Sequence, residues 1–201
     1  MSTTKQQGTR HRILVEAMRL FGEHGYRSTR VAAIEEAAGL SPGSGALYKH
    51  FRSKAEVLAE GVSWQLSTGD ELHEQLAGRE TDDVPLAWLL AEVIRAGLRR
   101  LDRERDLNRL IVRDLQQFPE LMDKVREREM RRIVVGLGQW LAARAKPGDV
   151  RDWSATATVL TGAVANYWLL RSSFGQHPSG VTEESFVQAA TTLVAPLLEE
   201  R

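Results

Sequence analysis

Between Ser44 and His50 the chain sets a hydroxyl, a phenol, an ammonium and an imidazole close together, on Ser44, Tyr48, Lys49 and His50. Side chains of these four kinds bond phosphate oxygens and the edges of bases in a groove. Other chemistry finds little footing. The sequence has no cysteine, which excludes disulfides, thiol nucleophiles and cysteine-bound zinc. The five histidines (11, 24, 50, 73 and 177) include no pair spaced i,i+4, so no metal-binding helix is expected, and His73 beside Glu74 reads as a surface pair. No GxSxG stands in the chain, and Gly43-Ser-Gly45 lacks the neighbours that a phosphate-cradling loop or dinucleotide fingerprint needs. The expectation is a protein that is not an enzyme and carries neither cofactor nor metal.

Charge points the same way. Residues 1–54 hold nine Lys/Arg against four Glu, a net +5, whereas the rest of the chain holds 18 against 23, a net −5. A basic quarter on an acidic body suits a polyanionic partner, although charge segregated on solvated helix faces gives the same count. Met1 to Arg12 is polar and basic with no apolar segment, so a signal peptide is not expected and the cytoplasm is the expected setting.

The elements that must position these side chains are helices. Glycine and proline cut the sequence into helix-length pieces with few strand-like alternations. The expected helices run from about Thr9 to His24, Arg30 to Ala38, Ser44 to His50, and after Ser53 to about Leu76, with Leu58, Val62, Leu72 and Leu76 on one face. After a polar loop over 78–83, further helices are expected from Pro85 through Leu101, Asp106 to Phe118, Pro119 to Ala145, Asp152 to Ser173, and from Thr182 until Pro196 kinks or ends the last. Gly25 and Gly39 stand where helices stop. The fold class is therefore all-α, with about nine helices in an N-terminal three-helix domain, residues 1–54, and a larger C-terminal helical domain, residues 55–201.

A helix of about nine residues, a turn centred on Gly39 and a second short helix is the arithmetic of a helix-turn-helix, in which the second helix enters the major groove. Ser41 and Pro42 redirect the chain between the two. An αα-corner in an ordinary core has the same spacing.

The residues themselves carry a resemblance. Phe21-Gly-Glu-His-Gly-Tyr26, Thr29, Ile34, Ala38-Gly39-Leu40-Ser41, Leu47-Tyr48-Lys49-His50-Phe51 and Ser53-Lys54 resemble the signature of the TetR family of bacterial regulators. The resemblance implies that Thr29, Tyr48, His50 and Lys54 approach the DNA backbone and that Leu47 and Phe51 fasten the recognition helix to its own core. Ser44, Ala46 and Lys49 are the groove-facing choices, and Arg30, Ser41 and Gly45 complete the expected DNA-binding set. Two positions depart from the pattern. Ser41 to Tyr48 is a step of seven rather than five, through Pro-Gly-Ser-Gly-Ala, and Glu35 replaces the usual alanine, either orienting a basic neighbour or facing solvent.

Trp153 to Leu170 is an uncharged stretch, but Ser154, Thr156, Thr158, Thr161 and Asn166 dilute it, so no membrane span is expected. Apolar residues surround this helix, with Trp153, Ala157, Leu160, Val164 and Trp168 on one side and Val159, Gly162 and Leu169 on another, and a helix apolar all round is covered on both sides. A homodimer is expected, its interface taking Trp153, Leu160, Val164, Trp168, Phe186, Leu193 and Leu197. The family resemblance likewise implies that the last two helices form a four-helix interface.

Five tryptophans (64, 88, 140, 153 and 168) lie outside the DNA-binding segment. Core packing accounts for any one of them singly. A ligand pocket is expected from Trp64, Trp88, Phe118, Trp140 and Tyr167, with Arg113, Gln117 or Asn166 orienting a polar group. The expected function is a ligand-responsive transcriptional regulator, most often a repressor in this family. It would bind an inverted-repeat operator of double-stranded DNA and be released by a small lipophilic effector. The alternative is a helical small-molecule-binding or scaffold protein without DNA recognition.

Overall fold

Helix follows helix along the chain, as the periodicity requires. The computed structural model describes residues 2–67 and 84–199, with side chains for 7–67 and 84–198, and no strand occurs among the described residues. The first stretch forms α1 (Ser2–His24), α2 (Val31–Ala37), a 3-10 turn (Ala46–Lys49) and α3 (Lys54–Ser67). The second forms α4 (Leu86–Arg103), α5 (Arg105–Arg113), a 3-10 turn (Leu115–Gln117), α6 (Pro119–Val125), α7 (Arg131–Ala142), α8 (Trp153–Phe174) and α9 (Glu183–Glu199).

Local chemistry sets most boundaries. The Asp152 carboxylate accepts from Ala155 N at 2.9 Å to cap α8, and the Thr182 hydroxyl accepts from Ser185 N at 3.2 Å to cap α9. Pro119 opens α6, where its missing N–H costs nothing. Several expected bounds change. The helix expected from Thr9 begins at Ser2; the one expected from Asp106 to Phe118 ends at Arg113, followed by a 3-10 turn; the run from Pro119 contains a π-helical segment, Arg126–Met130; and of the two outcomes expected at Pro196, ending is excluded, since α9 continues past it. The expected positions of Leu72, His73, Glu74, Leu76 and the 78–83 loop lie outside the described residues.

The chain divides into two compact units. One takes in Met1–Gly69 with Glu104–Arg126, so that α5 and α6 pack with the N-terminal helices; the other takes in Asp70–Arg103 with Glu127–Arg201. In the first unit Ile13, Ala17, Met18 and Phe21 of α1 meet Ile34, Leu47, Phe51, Val57, Leu58 and Val62 and, from the later stretch, Leu107, Leu110, Leu115 and Val125. Gly22 lets α5 approach α1 closely, since a Cβ there would stand 2.5 Å from Asp106 Cβ.

The second unit packs Leu90, Ile94 and Leu98 of α4 with Leu137 and Leu141 of α7, Trp153, Leu160, Val164 and Trp168 of α8, and Val187, Ala190 and Val194 of α9. Arg100 and Glu129 form a buried ion pair in this unit. Trp168 Nε1 donates to the Asp102 carboxylate at 2.9 Å, and Arg171 joins Asp102 to Glu183. Trp153 Nε1 and Thr191 Oγ1 are buried with no hydrogen-bond partner among the described residues.

Candidate nucleic-acid interface

The turn that leads into α2 is closed from the inside. The Thr29 hydroxyl, 3% exposed, shares its one hydrogen between two backbone carbonyls, lying 2.8 Å from Gly25 O in the turn and 3.1 Å from Leu20 O of α1. Lys54, at the start of α3, reaches back to the same turn. Its ammonium donates to Tyr26 O at 2.8 Å and Thr29 O at 2.9 Å, and lies 4.4 Å from the centroid of the Tyr26 ring. Burial lowers the Lys54 pKa and raises that of the Tyr26 phenol.

After α2 the chain turns through a Schellman motif. Leu40 N donates to Glu35 O at 2.8 Å and Gly39 N to Glu36 O at 3.0 Å, with Gly39 at the positive φ, 71°, that this turn needs. The lengthened segment then repeats the positive φ at Gly43 and Gly45, 71° and 73°. A side chain is disfavoured at both. Ser44 Oγ donates to Ser41 O at 2.7 Å and accepts from Ala46 N at 3.3 Å, which starts the 3-10 turn. Within that turn Leu47 is fully buried and Phe51, just beyond it, nearly so, while Tyr48 is 55% exposed and Lys49 is exposed beside it.

Further contacts secure the far end. The Arg10 guanidinium stacks 4.2 Å over the Phe51 ring, donates to His50 O and pairs with Glu60. Ser53 Oγ accepts from Glu56 N at 3.1 Å to cap α3, and the Glu56 carboxylate accepts from Arg52 N.

The residues expected to touch DNA therefore divide. Arg30, Ser41, Tyr48 and Lys49 are exposed, and Gly45, Ala46 and His50 are half-buried around them. Thr29 is corrected: its hydroxyl faces inward, onto Gly25 O of the turn and Leu20 O of α1, and is not presented to a phosphate. Lys54 is half-buried, and its ammonium binds two carbonyls of the α1–α2 turn. Ser44 stays exposed, but its hydroxyl is engaged within the turn. Arg27 and Arg52, outside the expected set, are also exposed, on the turns before α2 and after the 3-10 turn. Glu35 is corrected from the solvent or a basic neighbour to full burial, its carboxylate accepting from Gly43 N at 2.8 Å and Leu47 N at 3.0 Å.

The residues expected around a ligand fall in both units. In the first, Trp64 stands edge-on to His11 at 5.0 Å, Phe118 edge-on to Tyr26 at 4.9 Å, and Gln117 is exposed. Arg113 caps the end of α1, donating to Phe21 O at 2.6 Å and Gly22 O at 3.2 Å, while Asp114 takes Arg113 Nε and Tyr26 N. In the second, Trp140 lies buried under the Arg144 guanidinium at 4.1 Å. Tyr167 is sandwiched between the rings of His177 and Phe186 at 5.0 and 4.3 Å, and Trp88 and Asn166 are exposed.

The expected interface is corrected by the direction in which α8 faces. Trp153, Leu160, Val164 and Trp168 fill the second unit's own core, at 3–7% exposed. The opposite side of α8, with Val159, Gly162, Ala163 and Asn166, is the uncovered one. On α9, Leu193 is 74% exposed, as is Val159 on α8, whereas Phe186 and Leu197 are half-buried.

Comparison with known proteins adds to this geometry. Residues 13–60 match the model of the bacterial regulatory proteins of the tetR family, and residues 90–199 match that of the AefR-like transcriptional repressor C-terminal domain. The HTH-type transcriptional regulator AcrR of Shigella flexneri is 44% identical over 66 residues, a match spanning 32% of this chain and 29% of the relative. A proposed TetR-family regulator from Mesorhizobium loti superposes with a TM-score of 0.73 at 21% identity, covering 96% of both chains. The transcriptional regulator FadR from Bacillus subtilis, solved in complex with stearoyl-CoA, has a TM-score of 0.64 at 20% identity, covering 94% of this chain and 97% of its own. No helix among the described residues is long and apolar enough to cross a membrane.

Proposed function

The chain belongs to the TetR family of bacterial regulatory proteins, and from that premise we propose that it is a homodimeric transcriptional repressor released from its operator by a lipophilic effector. Residues 1–54 act as the DNA-reading head and the remainder as the effector-binding and dimerising part. The observation that carries the DNA reading is the outward face of the 3-10 turn. Buried Leu47 and Phe51 hold it from below, so exposed Tyr48 and Lys49 stand on a fixed base. Tyr48 and Arg30 bind backbone phosphates, Lys49 reads base edges, and Arg27 and Arg52 add to the positive rim.

Dimerisation is favoured by the uncovered apolar positions Val159 on α8 and Leu193 on α9, which a second copy would cover. Two heads then meet half-sites about 34 Å apart on one side of the duplex. For the effector, the second unit offers an apolar core containing Trp140 and Tyr167 and two unfilled hydrogen-bonding groups, Trp153 Nε1 and Thr191 Oγ1. Buried groups of this kind are few in native proteins and are natural partners for a ligand's polar atoms. A fold of the same type accommodates stearoyl-CoA in the Bacillus subtilis regulator, and a long-chain acyl compound is the effector class proposed here. Its higher affinity for the DNA-incompetent arrangement drives release.

The test is selection of bound duplexes from a random pool, followed by titration of the complex with fatty acids and acyl-CoAs of graded length. An enriched inverted repeat that one chain-length range dissociates supports the reading. Absence of any enriched sequence defeats the DNA role, and an enriched repeat indifferent to every acyl compound defeats the effector class.

A further inference from the structure

The chain's two departures from its family's pattern, Glu35 and the two-residue-longer turn, meet at one carboxylate. We propose that Glu35 is the positioning residue for the DNA-reading element, a clamp without which the lengthened turn cannot hold Tyr48 and Lys49 toward the groove. The inference rests on the DNA-binding role argued above.

Lengthening the turn adds backbone that must be held in one conformation and adds N–H groups that need partners. Glu35 sits in α2 with no exposed surface, directly beneath that segment. One oxygen takes Gly43 N–H at 2.8 Å and the other takes Leu47 N–H at 3.0 Å. The N–H of Leu47 lies in the first turn of the 3-10 helix Ala46–Lys49, where no intrahelical acceptor exists. Both are charge-assisted bonds, stronger than their neutral counterparts. A single side chain thus ties the beginning of the extra loop to the beginning of the reading element. Leu47 is then fixed twice, through its N–H and through its buried side chain, and Tyr48 follows it directly in the chain. Alanine at 35 would supply neither acceptor, which suits a shorter turn and not this one.

The sign of the effect separates this role from a merely electrostatic one. An acidic side chain facing phosphates weakens DNA binding, so neutralising it strengthens binding. A buried clamp behaves oppositely. The test uses the full-length chain, the duplex it selects from a random pool, and the variants Glu35→Ala, Glu35→Gln and Glu36→Gln, the last altering the exposed neighbour. Glu35→Ala is expected to weaken binding at least tenfold, to broaden the selected sequence, and to speed amide exchange at Gly43 and Leu47 at least tenfold. Glu35→Gln, whose amide oxygen keeps one acceptor, falls between, and Glu36→Gln holds or gains affinity. If Glu35→Ala fails to fold, as judged by its circular dichroism, Glu35→Gln carries the same comparison. Unchanged exchange at Gly43 and Leu47, or unchanged or tighter DNA binding in the Glu35 variants, overturns the proposal. A wild-type chain that selects no duplex refutes the DNA reading instead, and the exchange measurement then still decides whether Glu35 clamps the turn.

Discussion

Replacing Lys54 by methionine removes the ammonium and keeps most of the aliphatic stem. The structure assigns that ammonium two hydrogen bonds, to Tyr26 O at 2.8 Å and Thr29 O at 2.9 Å, and a place over the Tyr26 ring at 4.4 Å. A hydrogen bond from a charged donor contributes roughly 1.5–3 kcal/mol, and a partly exposed cation–π contact about 0.5–1 kcal/mol. The site is half-buried and water can reach the freed carbonyls, so the lower ends apply and the expected loss is roughly 3–4 kcal/mol. At about 2–4 °C per kcal/mol for a chain of this size, Tm falls by roughly 7–14 °C. Thermal and urea unfolding followed by circular dichroism measure this directly. The same variant is then titrated with DNA at several salt concentrations. A lost phosphate contact lowers the log–log salt slope by about one, whereas a lost internal clamp leaves the slope unchanged at temperatures where the head is folded. A slope reduced by one together with an unchanged Tm would refute the internal role and restore Lys54 to the phosphate backbone.

Three other outcomes follow from the same geometry. Leu193→Asp sets a charge on the exposed apolar position of α9 and should shift the chain from dimer to monomer in light scattering, with loss of affinity for an inverted repeat and residual affinity for a half-site. Gly22→Ala puts a methyl 2.5 Å from Asp106 Cβ and should destabilise the chain by roughly 1–3 kcal/mol in urea unfolding, as overpacking does. Asp106→Asn tests a titration. Burial raises the Asp106 carboxyl above its ordinary range, against the opposing charge of Arg109; ionisation therefore opposes folding, the penalty being absent below the unfolded pKa of about 4 and present once pH exceeds the folded value. The variant should be more stable than wild type at pH 7, with the gain vanishing as pH falls through the carboxylate range.

The parts of this protein legible from residue order are those governed by local rules. Gly25 and Gly39 end helices because each takes the positive φ that a helix C-terminus favours, and Leu47 and Phe51 point inward because they are the apolar members of a polar segment. The inward and outward sides of α8 were not legible. With no charge from Trp153 to Leu170, periodicity shows that the helix is covered but not which side its own core covers, and Trp153 and Trp168 proved to be core. Thr29 and Lys54 have the right chemistry for a phosphate, yet carbonyls of the turn after α1 lie within hydrogen-bond reach of both. Glu35 needed the tertiary structure too, since its burial depends on a turn folding back over α2. The break between α6 and α7 at Arg126–Met130 carries no glycine or internal proline to mark it, and Glu129 within it pairs with Arg100, far away in sequence.

Selecting duplexes from one random pool with wild type and with Lys49→Ala measures most directly whether the outward face of the 3-10 turn reads bases in two copies. The expected result is an inverted repeat for wild type and, for the variant, an altered base preference at one position repeated symmetrically in both half-sites. No enrichment by the wild type at low ionic strength, or an identical repeat from the Lys49→Ala chain, would contradict it.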